Sequence, residues 1–184
     1  NFLIKKKIDY LFVTAPENVA WILNIRGYDS MYSPIPNARL LIKNNGNIYL
    51  FSESEKVVKI KNKFFNKINF FNENDIDKTL KTLWGKNVLI DSLSCSVYYK
   101  NLLRKKNKII EKIDPIYFFK SIKNPTEIKN MKKSHIIDGA ALTKFLFWLK
   151  KNFKRKKITE ISAQKKLENF RKTNKNYKFP SFST

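Results

Sequence analysis

The chain has 184 residues, a length that suits one sizeable core or one domain with part of a second. Its 42 % hydrophobic and 14 % aromatic content, four Gly and one Cys exclude the disordered, collagen-like and disulfide-scaffold classes. The formal net charge of +23 invites a polyanion, yet Lys supplies 33 of the 38 basic residues, and the chain is rich throughout in Lys, Asn, Ile and Phe, whose codons are rich in A and T. Coding bias of that kind accounts for most of the lysine, so no specific nucleic-acid partner is expected.

Residues 10–14 are rich in β-formers and predict a short strand. Pro16 suits the first turn of a helix over 17–25, and Gly27 is expected to end it at positive φ. Two prolines make 30–37 a loop. Two β-rich runs, 38–43 and 47–51, flank Asn44-Asn45-Gly46, which predicts a hairpin. A helix over 56–65, a strand at 68–71 and a helix over 75–84 follow. A strand at 88–90 then ends at Asp91, a Ser-rich start opens a helix through Leu103, and 109–113 predicts a last strand before a helical turn from Pro115 toward Lys120. Strands alternating with helices imply an α/β layer on a mixed sheet.

The pattern changes near Lys120. Asn124-Pro125-Thr126-Glu127 is a helix opening with cap, first-turn proline and a glutamate that can reach back. Apolar residues from Ile128 to Phe153 keep helical spacing, a basic connector covers 154–157, and Thr159 caps a further helix before something extended begins at Tyr177. A domain boundary is expected near 121, giving domains 1–121 and 122–184.

Chemistry-bearing residues are sparse. His135 is the sole histidine, inside a helix and without a second His or Cys at metal-ligand spacing, so a structural role is expected of it. Cys95 has no base tied to it by sequence. No apolar run approaches the roughly 20 residues of a membrane span, no signal peptide opens the chain, and the lone Cys favours a reducing compartment. Asp91 suits loop bracing better than catalysis, and Asp75/Asp77 and Glu53/Glu55 lie beside expected helix starts, where they complement the dipole.

Two stretches carry a resemblance. The first is Glu17-Asn18-Val19-Ala20-Trp21-Ile22-Leu23-Asn24-Ile25-Arg26-Gly27-Tyr28-Asp29 with Ser33-Pro34; the second is Lys123-Asn124-Pro125-Thr126-Glu127-Ile128 with Ser134-His135-Ile136-Ile137-Asp138-Gly139. Together with 159–171 and 179–184 they resemble, in order, the three-domain Xaa-Pro aminopeptidases of the creatinase/prolidase metallopeptidase superfamily. The resemblance implies an α/β fold: a creatinase N-terminal-like mixed-sheet domain over 1–121, then the opening helices of a truncated pita-bread (α+β) catalytic domain over 122–184. It implies a parent that hydrolyses the bond before a second-position proline, using two divalent metal ions, expected to be manganese, and a cytoplasmic homodimer. The family's metal ligands follow the segment matching 179–184, so no catalytic, substrate-binding or metal residue is expected in this chain, and the chain alone is expected to be inactive. Asn24, Arg26 and Asp29 are the polar residues to watch, Arg26 pairing with Asp29 or with a carboxylate of another domain, or simply bracing their loop. Competing readings are a non-catalytic binding or scaffold protein of the same fold and a basic nucleic-acid-binding domain.

Overall fold

The computed structural model describes residues 1–61, 68–155 and 157–182. It divides into two compact units, Asn1–Ser121 and Ile122–Thr184. Six strands build the first: β1 (Tyr10–Val13), β2 (Arg39–Lys43), β3 (Ile48–Phe51), β4 (Ile68–Phe71), β5 (Asn87–Ile90) and β6 (Lys108–Glu111). They lie in the order β4-β3-β2-β1-β5-β6 within one mixed sheet. Only β2 runs against the others, because β1–β2 and β2–β3 are antiparallel while β3–β4, β1–β5 and β5–β6 are parallel. The chain thus walks outward from β1 to one margin and returns to the other side of β1 to finish.

Helices α1 (Phe2–Lys5), α2 (Pro16–Ile22), α3 (Ser54–Lys61), α4 (Ile76–Lys81), α5 (Val97–Arg104) and α6 (Pro115–Ser121) complete this unit. The two-residue period of a strand sorts β1 between two cores. Leu11 and Val13 join Leu3, Val19, Leu40, Leu89 and Ile116 on the side of α1, α2 and α6. Tyr10 and Phe12 join Phe51, Ile76, Leu80, Ile90 and Leu103 on the side of α4 and α5. All four β1 residues are buried, as a central strand covered on both faces requires. Burying each such large apolar side chain contributes roughly 1.5–3 kcal/mol before the entropy of ordering is charged against it.

Several boundaries differ from expectation for local reasons. The helix foreseen over 17–25 stops at Ile22, and Asn24, not Gly27, takes the positive φ, at 49°. Gly27 is needed for space instead, since a Cβ there would lie 2.6 Å from Pro36 Cα. The Asn44-Asn45-Gly46 turn closes as expected, with Gly46 at φ 91° and its N–H donating to the Lys43 carbonyl. The helix foreseen over 75–84 shortens to α4: a 3₁₀ turn at Glu73–Asp75, capped by Asn72, takes up its start, and beyond Lys81 the Thr82 and Leu83 N–H groups donate to the Thr79 and Leu80 carbonyls three residues back. Of the helix foreseen over 56–65, positions 62–65 lie outside the described residues.

The second unit is a helical hairpin. Its first helix, α7 (Pro125–Asn152), carries a complete capping box: Asn124 Oδ1 accepts from Glu127 N at 2.9 Å, and Glu127 Oε2 accepts from Asn124 N at 2.9 Å. Thr159 and Ser162 form the same device at α8 (Glu160–Lys172). Within the connector foreseen over 154–157, Lys156 lies outside the described residues. Arg171 grips Asp138 through two bonds of 2.7 and 3.1 Å, tying α8 to α7. Residues 177–182 form no regular element.

Candidate functional site

The parallel strands β1, β5 and β6 end on one edge of the sheet, and the connection reverses direction between β1 and β5. Crevices outside such carboxyl ends are where open α/β sheets hold ligands. Here that place is filled by a buried polar network. Asp91, directly after β5, accepts from Leu93 N at 2.9 Å through Oδ1 and from Asp114 N at 3.0 Å through Oδ2. Asp114 accepts from Ile116 N at 2.9 Å, opening α6 over Pro115, and from Asn18 Nδ2 at 2.8 Å. Lys120 Nζ completes the chain with a 2.7 Å bond to Asn18 Oδ1, and lies 4.3 Å from the centre of the Tyr117 ring. Tyr117 in turn donates to Glu17 Oε1 at 2.6 Å.

These contacts set the electrostatics. Burial pushes the Asp114 carboxyl above its usual range, against the hydrogen bonds it accepts. Donation to Glu17 is the main reason that the Tyr117 phenol is pushed up to about 12. No buried side-chain nitrogen or oxygen among the described residues lacks a partner. The network is therefore saturated: it fixes the β1–α2, β5–α5 and β6–α6 junctions against one another and leaves Asp91 and Asp114 no free oxygen directed at a substrate.

Asn24 turns the chain after α2, its N–H donating to the Trp21 carbonyl. Arg26 does not pair with Asp29; its Nη1 donates to the carbonyls of Ala20 and Ile25 at 3.3 and 2.8 Å. Asp29 binds Lys56 Nζ at 2.7 Å and accepts from Asn37 N at 2.7 Å, and Lys56 also meets Glu53 at 3.0 Å. The Lys56 ammonium holds the Asp29 carboxyl below its usual range. Asp75 stands at the start of α4 without a side-chain cap, and Asp77 accepts from the Tyr98 hydroxyl. Cys95 is buried, and burial pushes its thiol up to about 11, which makes it a poor nucleophile at neutral pH.

In the second unit His135 is exposed, its Nδ1 set 2.9 Å from the Met131 carbonyl of its own helix. A hollow of about 570 Å³ between α7 and α8 includes Ser134, Asp138, Lys144, Arg171 and Tyr177 in its lining. No group of three or more His, Cys, Asp or Glu able to hold a metal ion occurs among the described residues. The described residues thus do not fit a dinuclear metal centre. Asn18, Asp114 and Lys120 were not singled out in the sequence. The signal for Asp114 was the Asp-Pro pair opening a helix, and for Asn18 a polar residue among the apolar positions of α2.

Comparison with known proteins places this geometry in context. The Creatinase/Prolidase N-terminal domain family matches residues 1–127. Xaa-Pro aminopeptidase 1 of Dictyostelium discoideum is 32% identical over 186 residues, spanning 98% of this chain and 29% of the relative. The Drosophila melanogaster Xaa-Pro aminopeptidase ApepP is 33% identical, over 99% of this chain and 30% of its own length. The chain therefore spans under a third of the length of these relatives. Among solved structures, an X-prolyl aminopeptidase of Caenorhabditis elegans, described as a cytosolic enzyme with a di-nuclear active site, superposes with a TM-score of 0.84 at 24% identity, over 98% of this chain and 31% of that one. An Xaa-Pro dipeptidase from Bacillus anthracis shares the fold at a TM-score of 0.68. No helix among the described residues is long and apolar enough to cross a membrane. With the family pattern running through the whole first unit, the chain belongs to the creatinase/prolidase N-terminal domain family.

Proposed function

We propose that this chain is part of a metal-dependent Xaa-Pro aminopeptidase, a cytoplasmic homodimer that removes an N-terminal residue when proline follows it. On this reading residues 1–121 are the second of two creatinase-type α/β domains and residues 122–184 are the first helices of the catalytic domain. The observation that carries the reading is the alignment with an Xaa-Pro aminopeptidase across both units, at 32% identity over 98% of the chain.

The catalytic work is assigned to sequence following the match to 179–184, where two divalent ions, manganese by expectation, would be held. The described residues of this chain bring together no group of ligands for such a pair. Their part is structural. The Asn18–Asp114–Lys120 network fixes the carboxyl edge of the sheet, and Asp29, Asn37 and Lys56 hold the loop after α2 against the start of α3. A rigid wall of this kind positions a peptide without reacting with it.

The test is a comparison of two proteins against a peptide with proline in second place. The 184-residue chain is expected to leave the peptide intact at any manganese concentration. The same chain joined to the remainder of its reading frame is expected to release the first residue, and a chelator to stop it. Cleavage by the 184-residue chain would move the active site into it; an inert long form with intact folding would make the parent a binding or scaffold protein instead.

A further inference from the structure

Coding bias explains how much lysine the chain has, and it predicts that lysine should be scattered. In the first unit the lysines do occur at both edges, and it is the acidic residues that are segregated. Of its eleven acidic residues, ten stand at or beyond the carboxyl ends of the five co-directional strands or in the segments joining them there, and only Asp9 precedes its strand. Helices α4 and α5 then run toward the opposite edge and deliver their basic last turns to it. The ion pairs of Lys56 and Lys100 belong to the acidic edge. At the amino edge, Lys81, Lys86, Lys105, Lys106 and Lys108 are all exposed, and none makes an ion pair among the described residues. Asp9, the one acid there, is engaged with Asn87 N at 2.8 Å.

This basic edge is also shaped. Trp84 stands 70% exposed beside it, with Lys106 Nζ 5.2 Å from its ring centre. The turn that carries Trp84 is braced from the other side. Gly85 N donates to the Lys106 carbonyl at 2.8 Å, and Asn107 accepts from Lys86 N at 3.1 Å while donating to the Leu83 and Leu103 carbonyls, both at 3.1 Å. Gly85 holds φ 63°, so the turn has one backbone shape. Next to it lies a hollow of about 260 Å³, with Leu80, Leu83 and Leu102 in its wall and Lys81, Lys105 and Lys106 also lining it. An exposed indole on a rigid turn, an apolar recess and cations around both are the parts of a stacking platform in an electrostatic funnel.

We propose that the amino edge of the sheet docks single-stranded nucleic acid without sequence preference, Trp84 and the adjoining recess taking bases and the five lysines taking phosphates. A duplex hides its base faces and would leave Trp84 unused. A lipid surface would need several apolar side chains projecting together, whereas in this turn Leu80 and Leu83 are buried in the floor and the exposed apolar side chain is Trp84. The site lies outside the peptidase reading and stands or falls without it.

The test measures binding of a labelled oligouridylate to the 184-residue chain by fluorescence anisotropy over a salt series. Five phosphate contacts on a single strand predict a slope of log K against log salt of about −3.5. Trp84→Ala is expected to weaken binding roughly 5- to 150-fold, the effect of losing one stacked base. Joint Lys81→Glu, Lys105→Glu and Lys106→Glu substitution should abolish binding and flatten the slope. The same charge change at Lys150, Lys151 and Lys154 in α7 and its connector should leave most of it; circular dichroism confirms that each protein is folded, and the milder Lys→Gln triple replaces any that is not. Equal losses from the two triples would reduce the effect to diffuse charge and overturn the proposal. So would duplex binding as tight as single-strand binding, or Trp84-dependent binding to phosphatidylserine vesicles with none to the oligonucleotide.

Discussion

Asp114 holds a carboxylate where water does not reach, and the three junctions of the carboxyl edge depend on what it accepts. Replacing it by Asn keeps the shape but puts an amide NH₂ toward Asn18 Nδ2 or Ile116 N, and Asn18 cannot turn to help because its Oδ1 already takes Lys120. Asp114→Asn is therefore expected to cost about 1–3 kcal/mol in urea unfolding, the penalty for a buried donor left without an acceptor. The pH dependence has a definite sign. A carboxyl raised above 3.8 in the folded protein binds a proton more readily than the unfolded chain does, so its contribution is present at low pH and is lost as pH rises through the raised midpoint. The stability advantage of the natural chain over Asp114→Asn should accordingly narrow with rising pH across that interval. Asp29 has the opposite sign, its contribution being present above 3.8 and lost as pH falls through its lowered midpoint.

Helix α7 shows how far an element can be read from its own residues. Its capping box closes within four positions, so side chain, backbone and spacing are all visible in the sequence. The same is true of the Asn44-Asn45-Gly46 turn. Gly139 lies inside α7 at an ordinary φ with nothing within 4 Å of an added Cβ. Gly139→Ala should therefore stabilise the helix by roughly 0.5–1 kcal/mol, whereas Asn124→Ala should cost about 1 kcal/mol, both read from the thermal melting of the helical signal. Where partners are distant in the chain, the local pattern does not show them. Gly27 looked like a helix terminator because its neighbours are helical in pattern; its real constraint is Pro36, on the far limb of a loop. Asn18 and Asp114 lie 96 positions apart, and nothing local marks them as partners. The fold class, the strand order of the hairpin and most helix starts rest on local chemistry and were accessible, while the polar network rests on sheet topology and was not.

At the scale of the whole chain, the two units differ in what supports them. The first buries two apolar layers, whereas Ala141 is the only residue of α7 that is buried and α8 has none, among the described residues. Ile136, Leu146, Phe147 and Phe153 remain exposed on the hairpin. Isolated helices draw little stability from propensity alone, so native-state hydrogen exchange should protect β1, β2 and β5 most, while amides of α7 and α8 exchange through local opening at far lower free energy. Comparable protection in both units would refute that division.

The central position of β1 has a consequence for synthesis. Its antiparallel neighbour follows closely, with Val13 opposite Leu40, but its parallel neighbour is reached only at Val88, opposite Tyr10. At roughly 5–20 residues per second, the ribosome takes about 4–16 s to add the 78 residues from Leu11 to Val88. Throughout that interval the most fully buried strand of the fold has one open hydrogen-bonding margin, a ready template for another unfinished copy. Slowing translation between β1 and β5 should raise aggregation of this protein, and a chaperone that shields extended apolar segments should be needed only until Ile90 has emerged.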